Sequence, residues 1–367
     1  MIKKNTIYVV TGGCSFTHLD EGSWPFKIES KYPIHVENLG STGVGNGYIA
    51  RSIIYYVSYL LNEGLSPSLI YVFPMWTSID REEFLIDSKE YKKEIENPLT
   101  VSQYNWKPEV VGKSFWAKSN IRGRSSFSDK LDKMFGFYWE NFWSEEQAFF
   151  KTMEYIYSLQ SFLKVNKVNY TMLTWQNIFN DYNFSVPTGR YEGKRFPRFR
   201  LEPNTVLTPH ELWTLGWMDT ERWRNDRIWP KQLDMKLSKD SVKLYEKYPM
   251  IAYFWDHGLI DWDKWWFYED TQVERGGLSE WAILGEKHAY GVSEEDPEHP
   301  NHNTHEEFAK KVVSPILTRM VKENFDEMEM IKLFHKLKRS QELGFKTLKD
   351  TLSNQEKITK LIEDKFL

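Results

Sequence analysis

Ser15, Asp296 and His299 are of the residue types that activate a hydroxyl nucleophile, and they stand near opposite ends of a 367-residue chain. That chemistry needs an imidazole to take the serine proton and a carboxylate to hold the imidazole. Ser15 lies in Ile7-Tyr-Val-Val-Thr-Gly-Gly-Cys-Ser-Phe-Thr17, and the other two come from Asp296-Pro-Glu-His299-Pro300. The imidazole has a rival use. His299, His302 and His305 fall three residues apart, so two or three of them with Asp296 could bind zinc. On a helix the first and last would point well apart, and Pro300 opposes a regular helix there. His305-Glu-Glu-Phe-Ala also lacks the second histidine of a zincin motif. No other cofactor is expected.

The elements around these residues follow from apolar spacing. Ile7 to Val10 is long enough for one buried strand, which Thr11, Gly12 and Gly13 then end. Ser15 therefore falls at a strand's carboxyl end, where ligands bind in open α/β sheets. The glycines let the backbone turn and a substrate come close. His35-Val-Glu-Asn38-Leu-Gly40-Ser-Thr-Gly43-Val-Gly45-Asn46-Gly47 reads as a short strand, Val36 to Leu39, and a glycine loop. A helix follows, with Ile49, Ile53, Val57 and Leu60 on one face. Strand, glycine loop and helix also build phosphate sites, but the nucleotide-binding glycine signatures are missing here.

Leu69 to Phe73, between Pro67 and Pro74, predicts a third strand that ends in the polar cluster Trp76-Thr77-Ser78-Ile79-Asp80-Arg81. Ser144-Glu-Glu-Gln147 fits a capping box ahead of a long helix lined by Phe149, Met153, Ile156 and Leu163. Val168 to Thr174 predicts a fourth strand, followed by Trp175-Gln176-Asn177. Alternating strands and helices give the α/β class. Thr304 to about Lys322 predicts a helix capped by Thr304, which Pro315 should kink or divide.

A net charge of -4 and a pI near 6.2 give no global attraction to nucleic acid or an anionic membrane. The lone cysteine, Cys14, rules out an internal disulfide and suits a reducing compartment. Thr6 to Val10 is too short for a signal sequence's apolar core, and no small-residue cleavage site follows. No run approaches the length that spans a bilayer. The expectation is a soluble, cytoplasmic protein.

Aromatic residues make up 16% of the chain, with 16 Trp, 20 Tyr and 23 Phe, yet mean hydropathy is -0.59. Rings and polar residues are therefore interleaved. Two stretches break the α/β rhythm and read as insertions, about 87–140 and 178–275. The second holds Arg190, Lys194, Arg195, Arg198 and Arg200, and eight tryptophans between Trp213 and Trp266. Basic residues with aromatics can bind single-stranded nucleic acid, but the nearby acids, Asp261 and Asp263 among them, argue against it. A surface for stacking on sugars and plain packing both remain open. Residues 325–367 are charged, with Phe325, Met328, Ile331, Phe334 and Leu337 at roughly helical spacing. They predict a helical extension that packs on the domain or serves assembly.

Taken in order, these blocks resemble the SGNH (GDSL-type) hydrolase superfamily. Gly13-Cys14-Ser15-Phe16-Thr17 matches its nucleophile block, and Asn38-Leu39-Gly40-Ser-Thr-Gly43 its oxyanion-glycine block. Asp296-Pro297-Glu298-His299 matches its Asp-x-x-His block. The resemblance implies a three-layer α/β/α domain with a mostly parallel, SGNH/flavodoxin-like sheet over residues 1–324, apart from the insertions. It implies Ser15 as nucleophile, His299 as base and Asp296 as its orienting acid. The amides of Ser15 and Gly43 would hold the oxyanion of an acyl ester. Carbohydrate O-acetyl groups are the expected substrates, with Trp76, Trp175, Trp262 and Trp265 as binding rings. Two blocks depart from the pattern. Cys14 replaces the aspartate before the nucleophile, and Met75-Trp76-Thr77-Ser78 replaces the Gly-x-Asn-Asp block whose asparagine donates to the oxyanion. Such a donor contributes about 3 kcal/mol, so Thr77, Ser78 or Asn46 would have to take its place. The alternative is a weak or inactive member of the fold that binds glycans or builds an assembly.

Overall fold

β1 (Tyr8–Gly12) is buried along its whole length, as a strand covered on both faces must be. It belongs to a computed structural model that describes residues 6–18, 21–29, 34–87, 114–120, 129–181, 184–185, 206–207, 236–237, 242–269, 275–284, 300 and 302–324. Two short helices follow β1, α1 (Ser15–His18) and α2 (Trp24–Glu29). β2 (His35–Asn38) then lies parallel to β1, in register from Tyr8↔His35 to Thr11↔Asn38. α3 (Asn46–Asn62) leads to β3 (Ile70–Trp76) on the other side of β1, from Tyr8↔Ile70 to Gly12↔Pro74. β3 thus runs through Pro74 instead of stopping at Phe73.

The chain divides into two compact units. The first comprises Met1–Leu173, Asp261–Trp265 and His305–Leu367; the second comprises Thr174–Ile260 and Trp266–Thr304. In the first unit the expected stripe of α3 is real: Ile49, Ile53, Val57 and Leu60 are all fully buried, and Ile53 lies against Gly12. β4 (Arg81–Asp87) and β5 (Ser114–Asn120) form an antiparallel ribbon. α4 (Asp129–Asn141) lays buried Phe135 against Phe84, ring centroids 5.1 Å apart. Ordered elements, β5 and α4, therefore lie within the stretch that reads as an insertion over about 87–140. α5 (Glu145–Val165) starts at the expected cap, with the Ser144 hydroxyl accepting the Gln147 N–H at 3.2 Å, the first half of the capping box.

The fourth strand is interrupted. β6 (Asn169–Tyr170) and β7 (Leu173–Thr174) both pair with β3, which completes a five-stranded sheet in the order β2-β1-β3-β6. Between them the Met172 N–H donates to the Lys264 carbonyl at 2.8 Å, and Met172 bridges to Trp265. Asp261 fastens this returning segment: it accepts from the Tyr170 hydroxyl at 2.7 Å and from Lys164 at 3.0 Å. Its own N–H donates to Gln160 at 2.9 Å.

The second unit holds short strands. β8 (Asn180–Asp181) pairs with a later strand, and β9 (Phe184–Ser185) lies between β10 (Val206–Leu207) and β11 (Lys236–Leu237). β12 (Val242–Lys243) is the partner of β8. α6 (Leu244–Lys247) and α7 (Pro249–Asp256) come next. Phe179 packs edge-on to Trp255 and Phe267 at 5.7 and 5.9 Å, and the Arg275 guanidinium lies 4.0 Å over the Trp255 ring. These rings pack on one another. α8 (Leu278–Leu284) is capped by its own Glu280, whose carboxylate accepts the N–H of Gly277 at 2.7 Å and of Asn177 at 2.9 Å. Burial pushes that carboxyl up from its ordinary value, against the pull of these N–H donors.

α9 (His302–Phe308) begins two residues before the expected cap and passes through a π-turn, Ala309–Val313, into α10 (Ser314–Asn324). Pro315 therefore does not end the helix. The wider turn absorbs the missing N–H, and Ser314 Oγ donates to the Ala309 carbonyl at 2.7 Å. Asn324 donates to the Tyr71 hydroxyl at 3.2 Å; burial pushes this phenol up to about 12. Thr171 meets Met320 Sδ at 3.4 Å. Among the described residues, no helix is long and apolar enough to cross a membrane. The basic stretch 190–200 and the extension 325–367 lie outside the described residues.

Candidate functional site

β1, β2 and β3 are parallel, so the turns after their carboxyl ends gather at one edge of the sheet. From β1 the chain moves outward to β2, then crosses back to β3 on the opposite side. Ligands of open α/β sheets bind outside the strand ends where the order reverses in this way. Ser15 is the first residue after the turn that ends β1, at this reversal.

The nucleophile turn is tight. The Cys14 carbonyl accepts the N–H of Thr17 at 2.9 Å and of His18 at 3.0 Å, so α1 starts directly off the strand. Cys14 is fully buried, and Ser15 keeps 4% of its surface exposed. A Cβ on Gly13 would collide with the Thr17 side chain and stand 3.2 Å from Met75 Cβ. A Cβ on Gly40 would stand 2.9 Å from the His18 nitrogen. Only glycine lets these two backbones approach so closely.

Asn38 locks the approach. Its Nδ2 donates to the Thr17 carbonyl at 2.7 Å; its Oδ1 accepts the Gly40 N–H at 2.9 Å and the Thr11 hydroxyl at 3.2 Å. The following loop still tracks β1, with Ser41 N–H donating to the Gly13 carbonyl at 3.0 Å. Gly43 then takes a positive φ of 72° within the Ser41–Val44 turn. Among the described residues, no acceptor binds the backbone N–H of Ser15 or of Gly43.

The amino end of α3 is already neutralised. Glu83 accepts the Gly45 N–H at 2.7 Å and pairs with Arg51 at 2.8 Å. A carboxylate from the chain itself thus sits where a phosphate would bind the glycine loop. Asn46 is also engaged. Its amide donates to the Thr77 carbonyl at 3.0 Å and to the Thr152 hydroxyl at 3.1 Å, and its oxygen accepts the Thr77 N–H at 2.8 Å. To donate to an oxyanion, as expected of it, Asn46 would have to release one of these bonds. Thr77 is fully buried, whereas Ser78 is partly exposed.

The tryptophans expected at a ligand divide differently. Trp76 is fully buried, with its indole N–H on Met172 Sδ at 3.4 Å. A ring without exposed surface has none to offer a sugar, so Trp76 is a core residue. Trp262 and Trp265 lie 5.6 Å apart on the returning segment of the first unit, Trp262 partly exposed and Trp265 only 9% exposed. Trp175 is buried in the second unit, and its carbonyl accepts the Ser279 N–H at 2.7 Å.

His299 and Asp296 lie outside the described residues. His302 is exposed and His305 fully buried, so these two face different surroundings. Among the described residues, no group of three or more side chains is placed to hold a metal ion.

No family model, curated protein or solved structure matches the chain. Local signals could have found Asn38, because an Asn two residues before a Gly predicts the side-chain turn it makes. Glu83 and Thr152 gave none; their partners are 38 and 106 residues away.

Proposed function

We propose that this chain is a serine esterase of SGNH type, with a three-layer, flavodoxin-like α/β/α core. The observation that supports it most is Ser15 at the reversal point of the parallel sheet, with the Ser15 and Gly43 amides free of acceptors among the described residues. In this reading Ser15 Oγ attacks the acyl carbon while His299, oriented by Asp296, takes the hydroxyl proton. The two amides hold the oxyanion. Collapse expels the alcohol, which leaves with the proton from His299, and water then releases the acid from the acyl-enzyme. The substrate class is an acyl ester, with carbohydrate O-acetyl groups favoured by the aromatic content.

A serine-directed phosphonate, followed by peptide mass analysis, tests this reading. Adduct should form on Ser15 and nowhere else. Ser15→Ala should abolish labelling and lower turnover of a generic acyl ester by several orders of magnitude. Equal turnover in a clean Ser15→Ala preparation would sink the assignment.

One observation favours a second reading, a non-catalytic glycan-binding or assembly protein on the same fold. Asn46 and the Thr77 N–H bind each other, so the block after β3 presents no amide donor from either. That reading expects an unlabelled Ser15 and glycan binding that survives Ser15→Ala.

A further inference from the structure

We propose that Glu83, on the β4–β5 ribbon, is a positioning residue that holds the turn carrying Gly43, with Arg51 and Arg81 supporting it. This rests on the esterase reading, in which the Gly43 amide meets the oxyanion, and adds the means by which this chain keeps that amide still.

A turn built on glycine does not hold itself, because glycine adopts either sign of φ with little cost. A Cβ on Gly43 would meet nothing within 4 Å, so side-chain packing does not confine this residue. Restraint has to come from the ends of the turn. Upstream, the Ser41 N–H donates to the Gly13 carbonyl at 3.0 Å, which ties the turn to the residue two before Ser15. Downstream, Val44 is fully buried, and β4 bonds both polar groups of the peptide between Val44 and Gly45. Arg81 Nη1 donates to the Val44 carbonyl at 3.3 Å, and Glu83 Oε1 accepts the Gly45 N–H at 2.7 Å.

Glu83 suits this task. Its side chain is only 5% exposed, so water competes little for its oxygens. A carboxylate accepts an N–H about twice as strongly as a neutral acceptor does. Arg51, on α3, holds Oε2 at 2.8 Å and so fixes the direction of Oε1. The glycines after the turn are where the ribbon comes in. A Cβ on Gly45 would stand 2.8 Å from the Arg81 carbonyl oxygen, and one on Gly47 3.0 Å from Arg51 Nη1 and 3.1 Å from Glu83 Oε2. Gly45 and Gly47 thus make room for the clamp. Oxyanion donors act by being held in place before charge develops, and the clamp begins one residue after Gly43.

Steady-state kinetics on a generic acyl ester, paired with amide hydrogen exchange read by mass spectrometry on the full chain, tests the assignment. Glu83→Ala should speed exchange over residues 39–47 while β1 and β3 keep their wild-type rates. It should lower kcat about 10-fold, a fraction of what losing a donor outright costs, with KM within a few-fold. Glu83→Gln, which keeps a neutral acceptor for the Gly45 N–H, should recover most of both effects. In a Gly43→Ala background Glu83→Ala should add little to the loss in kcat, because the two changes act on one amide. If Glu83→Ala does not fold, Arg81→Met, which frees only the Val44 carbonyl, should shift exchange and kcat the same way by less.

Wild-type kcat in Glu83→Ala, or a rise in KM alone, would overturn the positioning role while the esterase reading stands. So would exchange that quickens across the whole first unit, since Glu83 would then support the fold and not this turn. A Glu83→Gln as impaired as Glu83→Ala would place the effect in the ion pair with Arg51 and overturn the role of the Gly45 bond. A wild type that neither turns over the ester nor labels at Ser15 removes the esterase reading and this role together, even where exchange over residues 39–47 still depends on Glu83.

Discussion

Gly13 shows how closely the nucleophile turn is built. Its hydrogen sits where any Cβ would enter the Thr17 side chain, and Met75 blocks retreat on the other side. Gly13→Ala should therefore destabilise the fold by about 1–3 kcal/mol, the usual cost of overpacking a core. It should also lower Ser15 labelling by more than the lost stability explains, because relief must move α1. A urea titration read beside the labelling rate checks both; an unchanged midpoint would show that the turn has slack. At this scale the glycine turns after β1 and β2 were legible, since small residues mark a turn by type alone. Trp76 misled, because a ring after a strand looks the same whether it faces a ligand or the core. Asn46 misled for a related reason: its residue type suits an oxyanion donor, but its partners are 31 and 106 residues away in sequence.

The helices with regular apolar stripes, α3 and α5, follow directly from their spacing, and Ser144 marks the start of α5. Proline positions were less informative. Pro74 suggests an end and Pro315 a kink or division, yet β3 extends to Trp76 and a π-turn carries α9 into α10. The β4–β5 ribbon and α4 were missed because their order comes from ring contacts such as Phe84 with Phe135, made between distant positions. α8 has a further property hidden from sequence. Glu280 is 2% exposed and bonds two backbone N–H groups, and burial holds its carboxyl above the ordinary 4.5.

The folded protein should then keep this proton over a pH range in which the unfolded chain has released it. Stability from the group is full below pH 4.5 and falls as pH rises through the raised value. Glu280→Gln removes the titration. The unfolding free energy of wild type relative to this variant should decline as pH rises from 4.5 toward neutrality. A flat difference would show that the N–H donors cancel the cost of burial.

At the scale of the whole chain, the sequence foretold four strand regions but not their order, which depends on pairing between distant segments. The expected insertion over about 178–275 is a different division of the chain from the second compact unit, which runs over Thr174–Ile260 and Trp266–Thr304. The carboxyl-terminal limit of the first unit's core is open to direct test. α10 buries Ile316, Leu317, Met320 and Val321, and its last residue, Asn324, bonds the hydroxyl of Tyr71 on β3. Four such side chains at about 1.5–3 kcal/mol each rival a whole domain's stability of about 5–15 kcal/mol. A chain ending at 324 should keep a cooperative thermal transition and full Ser15 labelling. One ending at 313, which lacks α10, should lose both. If the 324 truncation unfolds, residues 325–367 belong to the folding unit, and the boundary drawn from apolar spacing is wrong. If the 313 truncation melts like the full chain, α10 adds no net stability despite its buried face, and the contact between Asn324 and Tyr71 is incidental.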